Sequence, residues 1–118
     1  MLSPVCKLYR SNAGTFRSAD GKRIIHGLPK GFPDLFGVIL KDKSADGIAH
    51  SVFIECKIKP NKPSDEQKAF VAEYGDGGCV CGICYTISEA CRLVRPMIKD
   101  GEKVFPDSVL DRWDEMYK

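Results

Sequence analysis

At 118 residues the chain has room for one compact domain, residues 1–118, with a real core and little for a second. A formal net charge of +2 with 29% charged residues describes an ordinary surface, so net charge alone gives no argument for a polyanionic partner. No run approaches the roughly 20 apolar residues of a membrane span, and no basic-then-apolar secretory pattern opens the chain. The expected place is therefore the cytosol, with no membrane partner and with the six cysteines reduced.

Val5 to Arg10 and Thr15 to Arg17 read as short strands around the turn Asn12-Ala13-Gly14. Ala19 to Lys22 supplies another turn before Ile24-Ile25. This first third is basic: up to Pro33, Lys7, Arg10, Arg17, Lys22, Arg23 and Lys30 are opposed by Asp20 alone. It is a face that could meet phosphates, or simply a solvated one. Leu28 to Asp34 is a loop, because two prolines and a glycine forbid regular helix and Pro33 fixes the backbone just before the aspartate.

Leu35 to Leu40 then reads as a buried strand, Lys41 to Gly47 as a polar turn, and His50 to Lys59 as the antiparallel partner strand. Ser64 is a suitable helix N-cap, with Asp65 and Glu66 in the first turn and Gln67 at capping-box spacing. Phe70, Val71 and Tyr74 follow at helical intervals until Gly75 to Gly78 ends the helix. Cys79 to Thr86 reads as a strand, Ser88 as the cap of a second helix to about Ile98, and Pro106 to Tyr117 as a short amphipathic helix. Cys6, Cys56, Cys79 and Cys81 fall in strand-like runs, where cysteine behaves as a small buried hydrophobe.

The chemistry rests on strand alternation. With period two, Val52, Ile54, Cys56 and Ile58 face one way and Phe53, Glu55, Lys57 and Lys59 the other. A half-buried strand with a solvated charged face has the same pattern. Asp34, however, opens the neighbouring strand and Gln67 opens the following helix, so two carboxylates can converge at one strand end. Such a pair, with the backbone carbonyl of Cys56, suits Mg²⁺ or Mn²⁺ and phosphodiester hydrolysis, and Lys57 is placed to orient water or offset developing charge.

The runs Lys30-Gly31-Phe32-Pro33-Asp34, Phe53-Ile54-Glu55-Cys56-Lys57 and Lys62-Pro63-Ser64-Asp65-Glu66-Gln67, in this order and spacing, resemble the virus-type replication-repair nuclease (VRR-NUC) domain. The similarity extends from about Tyr9 to Val94, including Arg10-Ser11-Asn12-Ala13-Gly14 and the Gly77-Gly78 turn before a cysteine-rich strand. The resemblance implies an α/β, restriction-endonuclease-like (PD-(D/E)xK) fold, a mixed central sheet flanked by helices. It implies a metal-dependent DNA endonuclease in which Asp34 and Glu55 bind metal, Lys57 assists catalysis and Gln67 supports the site. Stand-alone phage members are similar in being homodimers associated with branched DNA such as four-way (Holliday) junctions, and fused members belong to DNA repair nucleases. The chain departs from the pattern where members usually begin with a helix bearing an acidic residue: no glutamate precedes Glu55.

Arg10, Asn12, Lys30, Lys59 and Lys62 are the expected phosphate contacts, although Arg10 and Asn12 equally suit a surface turn. His26 is a lesser candidate for the same role. Two other readings stand beside the nuclease: a DNA-binding dimer with a vestigial site, and a zinc-binding nucleic-acid interaction module built on Cys79, Cys81, Cys84 and Cys91. The zinc reading is disfavoured by spacing, since Cys79 and Cys81 would share one strand face and Cys84 the other.

Overall fold

In the computed structural model the described residues are 6–11, 15–26, 28–102 and 106–116. Val5, Asn12 to Gly14 and Tyr117, on which some sequence expectations rest, lie outside them. The architecture is α/β. Four strands, β1 (Cys6–Arg10), β4 (Leu35–Ile39), β5 (His50–Cys56) and β6 (Val80–Cys84), form a mixed sheet in the order β1-β4-β5-β6. The other two, β2 (Thr15–Arg17) and β3 (Ile24–His26), pair antiparallel as a separate ribbon. Three α-helices are described: α1 (Asp65–Asp76), α2 (Ile87–Val94) and α3 (Asp107–Met116).

Strands β1, β4 and β5 pair antiparallel, as the turn between β4 and β5 predicts, whereas β5 and β6 are parallel. A parallel pair cannot be joined by a hairpin, and α1 makes the crossover. The two faces of the sheet then differ in kind. On one, Cys6, Ile39, Val52, Ile54, Val80 and Cys84 are buried together with Val94 of α2 and the following Ile98. Gly82 belongs to this contact: a Cβ there would stand 2.8 Å from Leu93 Cδ2, so the missing side chain lets α2 lie close on β6. On the other face the core is aromatic. Phe53 of β5 meets Phe70 and Tyr74 of α1 edge-on at 5.2 and 5.4 Å, and Phe70 stacks on Tyr74 at 3.9 Å.

Several boundaries differ from the sequence reading for local reasons. Strand β5 ends at Cys56 rather than Lys59, because the chain turns, with Asn61 N–H donating to the Ile58 carbonyl at 2.9 Å. Cys56 is exposed, not buried, since its side chain faces a cavity of about 540 Å³ on the α2 side of the sheet. Strand β6 is limited to Val80–Cys84. The cap of α2 is Thr86, whose hydroxyl accepts from Glu89 N–H at 3.1 Å, and not Ser88. Ser88 is instead buried and donates to Asp114 of α3. The α-helix stops at Val94 and continues as a 3₁₀ turn, Arg95–Met97, containing Pro96. Helix α3 is held against α2 by the fully buried Leu110 and by Arg92, which reaches Asp111 at 2.7 Å and Asp114 at 3.0 Å. No helix among the described residues is long and apolar enough to cross a membrane.

Candidate active site

The loop before β4 is shaped by close approach. Gly31 has φ of +89°, and a Cβ there would stand 2.7 Å from Glu66 Cβ, so this residue must be glycine for the loop to lie against the first turn of α1. Phe32 N–H closes a turn onto the Pro29 carbonyl at 3.1 Å, and the Phe32 ring packs edge-on between Phe53 and Phe70 at 5.8 and 5.3 Å. Pro33 is fully buried. Ser11 anchors the loop from the far side, its N–H donating to the Asp34 carbonyl at 2.8 Å and its hydroxyl to the Pro33 carbonyl. Asp34 is thus delivered to the end of β4 with a fixed backbone.

The structure brings Asp34, Glu55, Lys57 and Gln67 together, and the contacts between them are specific. Asp34 Oδ2 accepts the Cys56 N–H at 2.9 Å. In an extended residue N–H and C=O share one edge of the strand, so the Cys56 carbonyl lies on the Asp34 side. Glu55 is buried, with a side chain only 4% exposed. Its Oε1 accepts from Gln67 Nε2 at 3.0 Å and stands 3.8 Å from Lys57 Nζ, while its Oε2 is buried without a hydrogen-bond partner. Lys57 extends past the strand end in register because its N–H donates to the Cys84 carbonyl at 2.9 Å.

Gln67 both caps α1 and reaches Glu55. Its Oε1 accepts the Ser64 N–H at 2.8 Å while its own N–H donates to Ser64 Oγ at 3.2 Å, which completes the capping box. Since Ser64 N–H can only donate, the amide oxygen must face the cap. The NH₂ group is then directed at Glu55, and the helix cap sets the rotamer of a site residue.

Burial, followed by the charge of the nearby Asp34 carboxylate, pushes the Glu55 carboxyl up from its usual range to about 7, and Lys57 draws it partly back. Near neutrality Glu55 therefore binds a proton readily, and anything that displaces that proton must supply compensating positive charge. With the orphaned Oε2, this leaves Asp34 and Glu55 as the side chains that could hold a hard divalent cation, with the Cys56 carbonyl at the edge. Mg²⁺ commonly takes one or two protein carboxylates and completes its shell with water and substrate oxygen. Among the described residues no three His, Cys, Asp or Glu side chains gather into a fuller cage.

The cysteines considered for zinc form no such cluster either. Cys81 and Cys84, three apart on β6, take opposite faces, and no disulfide joins any two of the six cysteines. Burial pushes Cys81 up to about 11 and Cys84 up to about 12, so both are protonated at neutral pH. The expected phosphate contacts are dispersed. Arg10, Lys30, Lys59 and Lys62 are exposed, and Asn12 lies outside the described residues. Arg10 pairs with Leu35, one residue from Asp34. Lys30 stands near Glu66, whose carboxyl is held below its usual range first by its backbone amide and then by that lysine. Sequence reasoning missed the anchoring role of Ser11, because nothing local connects residue 11 to residue 33.

No protein-family model matches the chain, and neither a curated protein nor a solved structure matches it.

Proposed function

We propose that the chain is a Mg²⁺- or Mn²⁺-dependent endodeoxyribonuclease of the VRR-NUC type, with a restriction-endonuclease-like fold, acting on branched DNA as a homodimer. The observation that carries this reading is Glu55: a buried carboxylate with one oxygen fixed by Gln67, the other unpartnered, set beside Asp34 and Lys57. Structural carboxylates of ordinary strands are solvated or fully paired, and this one is neither. Bound metal would supply charge neutralisation at the scissile phosphate and acidify a coordinated water.

The remaining roles belong to the protein. Asp34, held by the Cys56 N–H, and Glu55, held by Gln67, present oxygen atoms at a fixed separation, so little reorganisation accompanies binding. Lys57 Nζ is too far from Glu55 Oε1 for a strong hydrogen bond and keeps its donors for a water or a non-bridging phosphate oxygen. A homodimer would set two such sites about a twofold axis, which symmetric incision of a four-way junction needs.

The test is cleavage of labelled four-way junction, flap, linear duplex and single-stranded DNA with Mg²⁺, Mn²⁺ or EDTA, alongside Glu55→Gln. Metal-dependent and Glu55-dependent cutting of branched substrates is the expected result. A second reading, a DNA-binding dimer with a vestigial site, is favoured by the pair of carboxylates having no third acidic neighbour among the described residues. Retained binding without cutting of any substrate would select it.

A further inference from the structure

Tyr9, Phe36 and Phe53 are direct cross-strand partners on β1, β4 and β5, and they form one aromatic row across the sheet. Alternation puts this row on the face that carries Glu55 and Lys57. Helix α1 covers the Phe53 end, through Phe70 and Tyr74. It leaves the other end uncovered by helix: Tyr9 is 60% exposed and Phe36, which Phe32 meets edge-on at 6.1 Å, is 37% exposed, the Tyr9 and Phe36 ring centroids lying 6.2 Å apart and tilted by 43°. Burial stability does not account for a tyrosine held out on an edge strand, and two neighbouring exposed rings are a surface that favours flat, π-rich partners.

The charge around the rings identifies the partner. Strands β1 and β4 carry Lys7 and Arg10 and no acidic side chain. Lys7 shares the face of Tyr9, two residues along, whereas Arg10, exposed at the end of β1, alternates to the other face. Aromatic faces flanked by a cation suit a single strand of nucleic acid, bases on the rings and phosphate on the lysine. A duplex presents base faces only at its ends, so it cannot use such a surface along its length.

Resting on the nuclease reading of the site, we infer that Tyr9 and Phe36 form a stacking platform for unpaired bases next to the scissile phosphate. Phe36 is one strand over and two residues back from Glu55, about 8 Å between Cα atoms from sheet geometry. The base adjoining a phosphate held at Asp34 and Glu55 can reach that ring, with Tyr9 placed for the next. The preferred substrate is then DNA with unpaired bases at the cut, as in flaps or opened branch points, and intact duplex is a poor one.

The experiment measures binding in EDTA, where no cutting intrudes. Fluorescein-labelled oligo-dT, a flap with an unpaired arm and a blunt duplex are titrated by anisotropy at one fixed salt concentration, because phosphate contacts are salt-dependent. Tyr9→Ala is expected to weaken oligo-dT and flap binding by about 5- to 150-fold, the range that one base–aromatic stack spans, and to leave the duplex unchanged. Tyr9→Phe should bind as wild type, and Tyr9→Leu, apolar but not aromatic, should bind as weakly as Tyr9→Ala. Tyr9 is exposed enough for these variants to fold, which circular dichroism checks.

Single-strand affinity unchanged in Tyr9→Ala, wild-type binding by Tyr9→Leu, or an equal loss on duplex each overturns the inference. So does conversion of a dimer to a monomer by Tyr9→Ala in light scattering, which would make this face an interface between copies. Selective binding without any cleavage sinks the nuclease reading and leaves the platform standing. Cleavage that proceeds with binding unaffected by Tyr9→Ala does the reverse.

Discussion

Glu55→Gln in the metal-free protein isolates the energetic consequence of the candidate site. Folding moves the Glu55 carboxyl from water into a place where its side chain is 4% exposed and Asp34 is near, and its pKa rises from 4.5 to about 7. The fold thus favours the protonated form. The resulting stabilisation is fully present below the unfolded value of about 4.5, declines as pH rises, and is lost above about 7. At about 1.4 kcal/mol per pH unit, the difference amounts to about 3 kcal/mol at most. Glutamine keeps the shape, can still accept from Gln67 and is uncharged at every pH. Titrating groups away from the site are common to both proteins and cancel.

In EDTA the two proteins should therefore melt together near pH 4.5 and diverge above it. By pH 8 the variant should be the more stable, by up to about 10 °C at the roughly 4 °C per kcal/mol expected of a domain this size. Differential scanning fluorimetry between pH 4.5 and 8 measures the gap. Adding Mn²⁺ at pH 8 should raise the wild type and leave the variant unmoved, because ligand that binds only the folded state stabilises it. Parallel melting curves across the whole range, or a gap that opens toward acid, would refute the reasoning that Glu55 is an uncompensated buried carboxylate.

Lys57→Ala should slow single-turnover cleavage on the order of 10²- to 10³-fold, as loss of one preorganised donor does, with DNA affinity in Ca²⁺ little changed. Gln67→Ala opens the capping box and releases Glu55 Oε1 together, and should cost about 1–2 kcal/mol in urea denaturation. Ser64→Ala, which removes only the cap hydroxyl, should retain more cleavage activity than Gln67→Ala. Gly31→Ala meets both an unfavourable positive φ and Glu66 Cβ at 2.7 Å, and should destabilise by about 1–3 kcal/mol while displacing Asp34, so that activity falls with stability.

Local chemistry made much of this legible. The alternation of Val52 and Ile54 against Phe53 and Glu55 assigned the two faces of β5, and the spacing from Ser64 to Gln67 located the start of α1 and its capping box. The proline and glycine of the loop before Asp34 marked it as irregular, and the short turn after β4 made the β4–β5 pair antiparallel. These signals survive without tertiary context because they depend on backbone preferences and on period two. Boundaries did not survive as well. Thr86 and Ser88 are both capping residues two positions apart, and only the packing of α3 decides that Ser88 is taken by Asp114 and Thr86 left to cap.

What the sequence determined by itself was the residue set: Asp34, Glu55, Lys57 and Gln67 on elements that could converge. Only the tertiary structure decided their electrostatics. That Glu55 is buried, with one of its oxygens taken by Gln67 and the other by nothing, depends on α1 lying across the sheet, and that Asp34 is spent partly on the Cys56 N–H depends on the register of β4 and β5. The aromatic row likewise required the register of three strands, since Tyr9, Phe36 and Phe53 are far apart in the chain and meet only as cross-strand partners. Spacing along a chain fixes which way side chains point within an element. Burial and charge are set by what another element places against them.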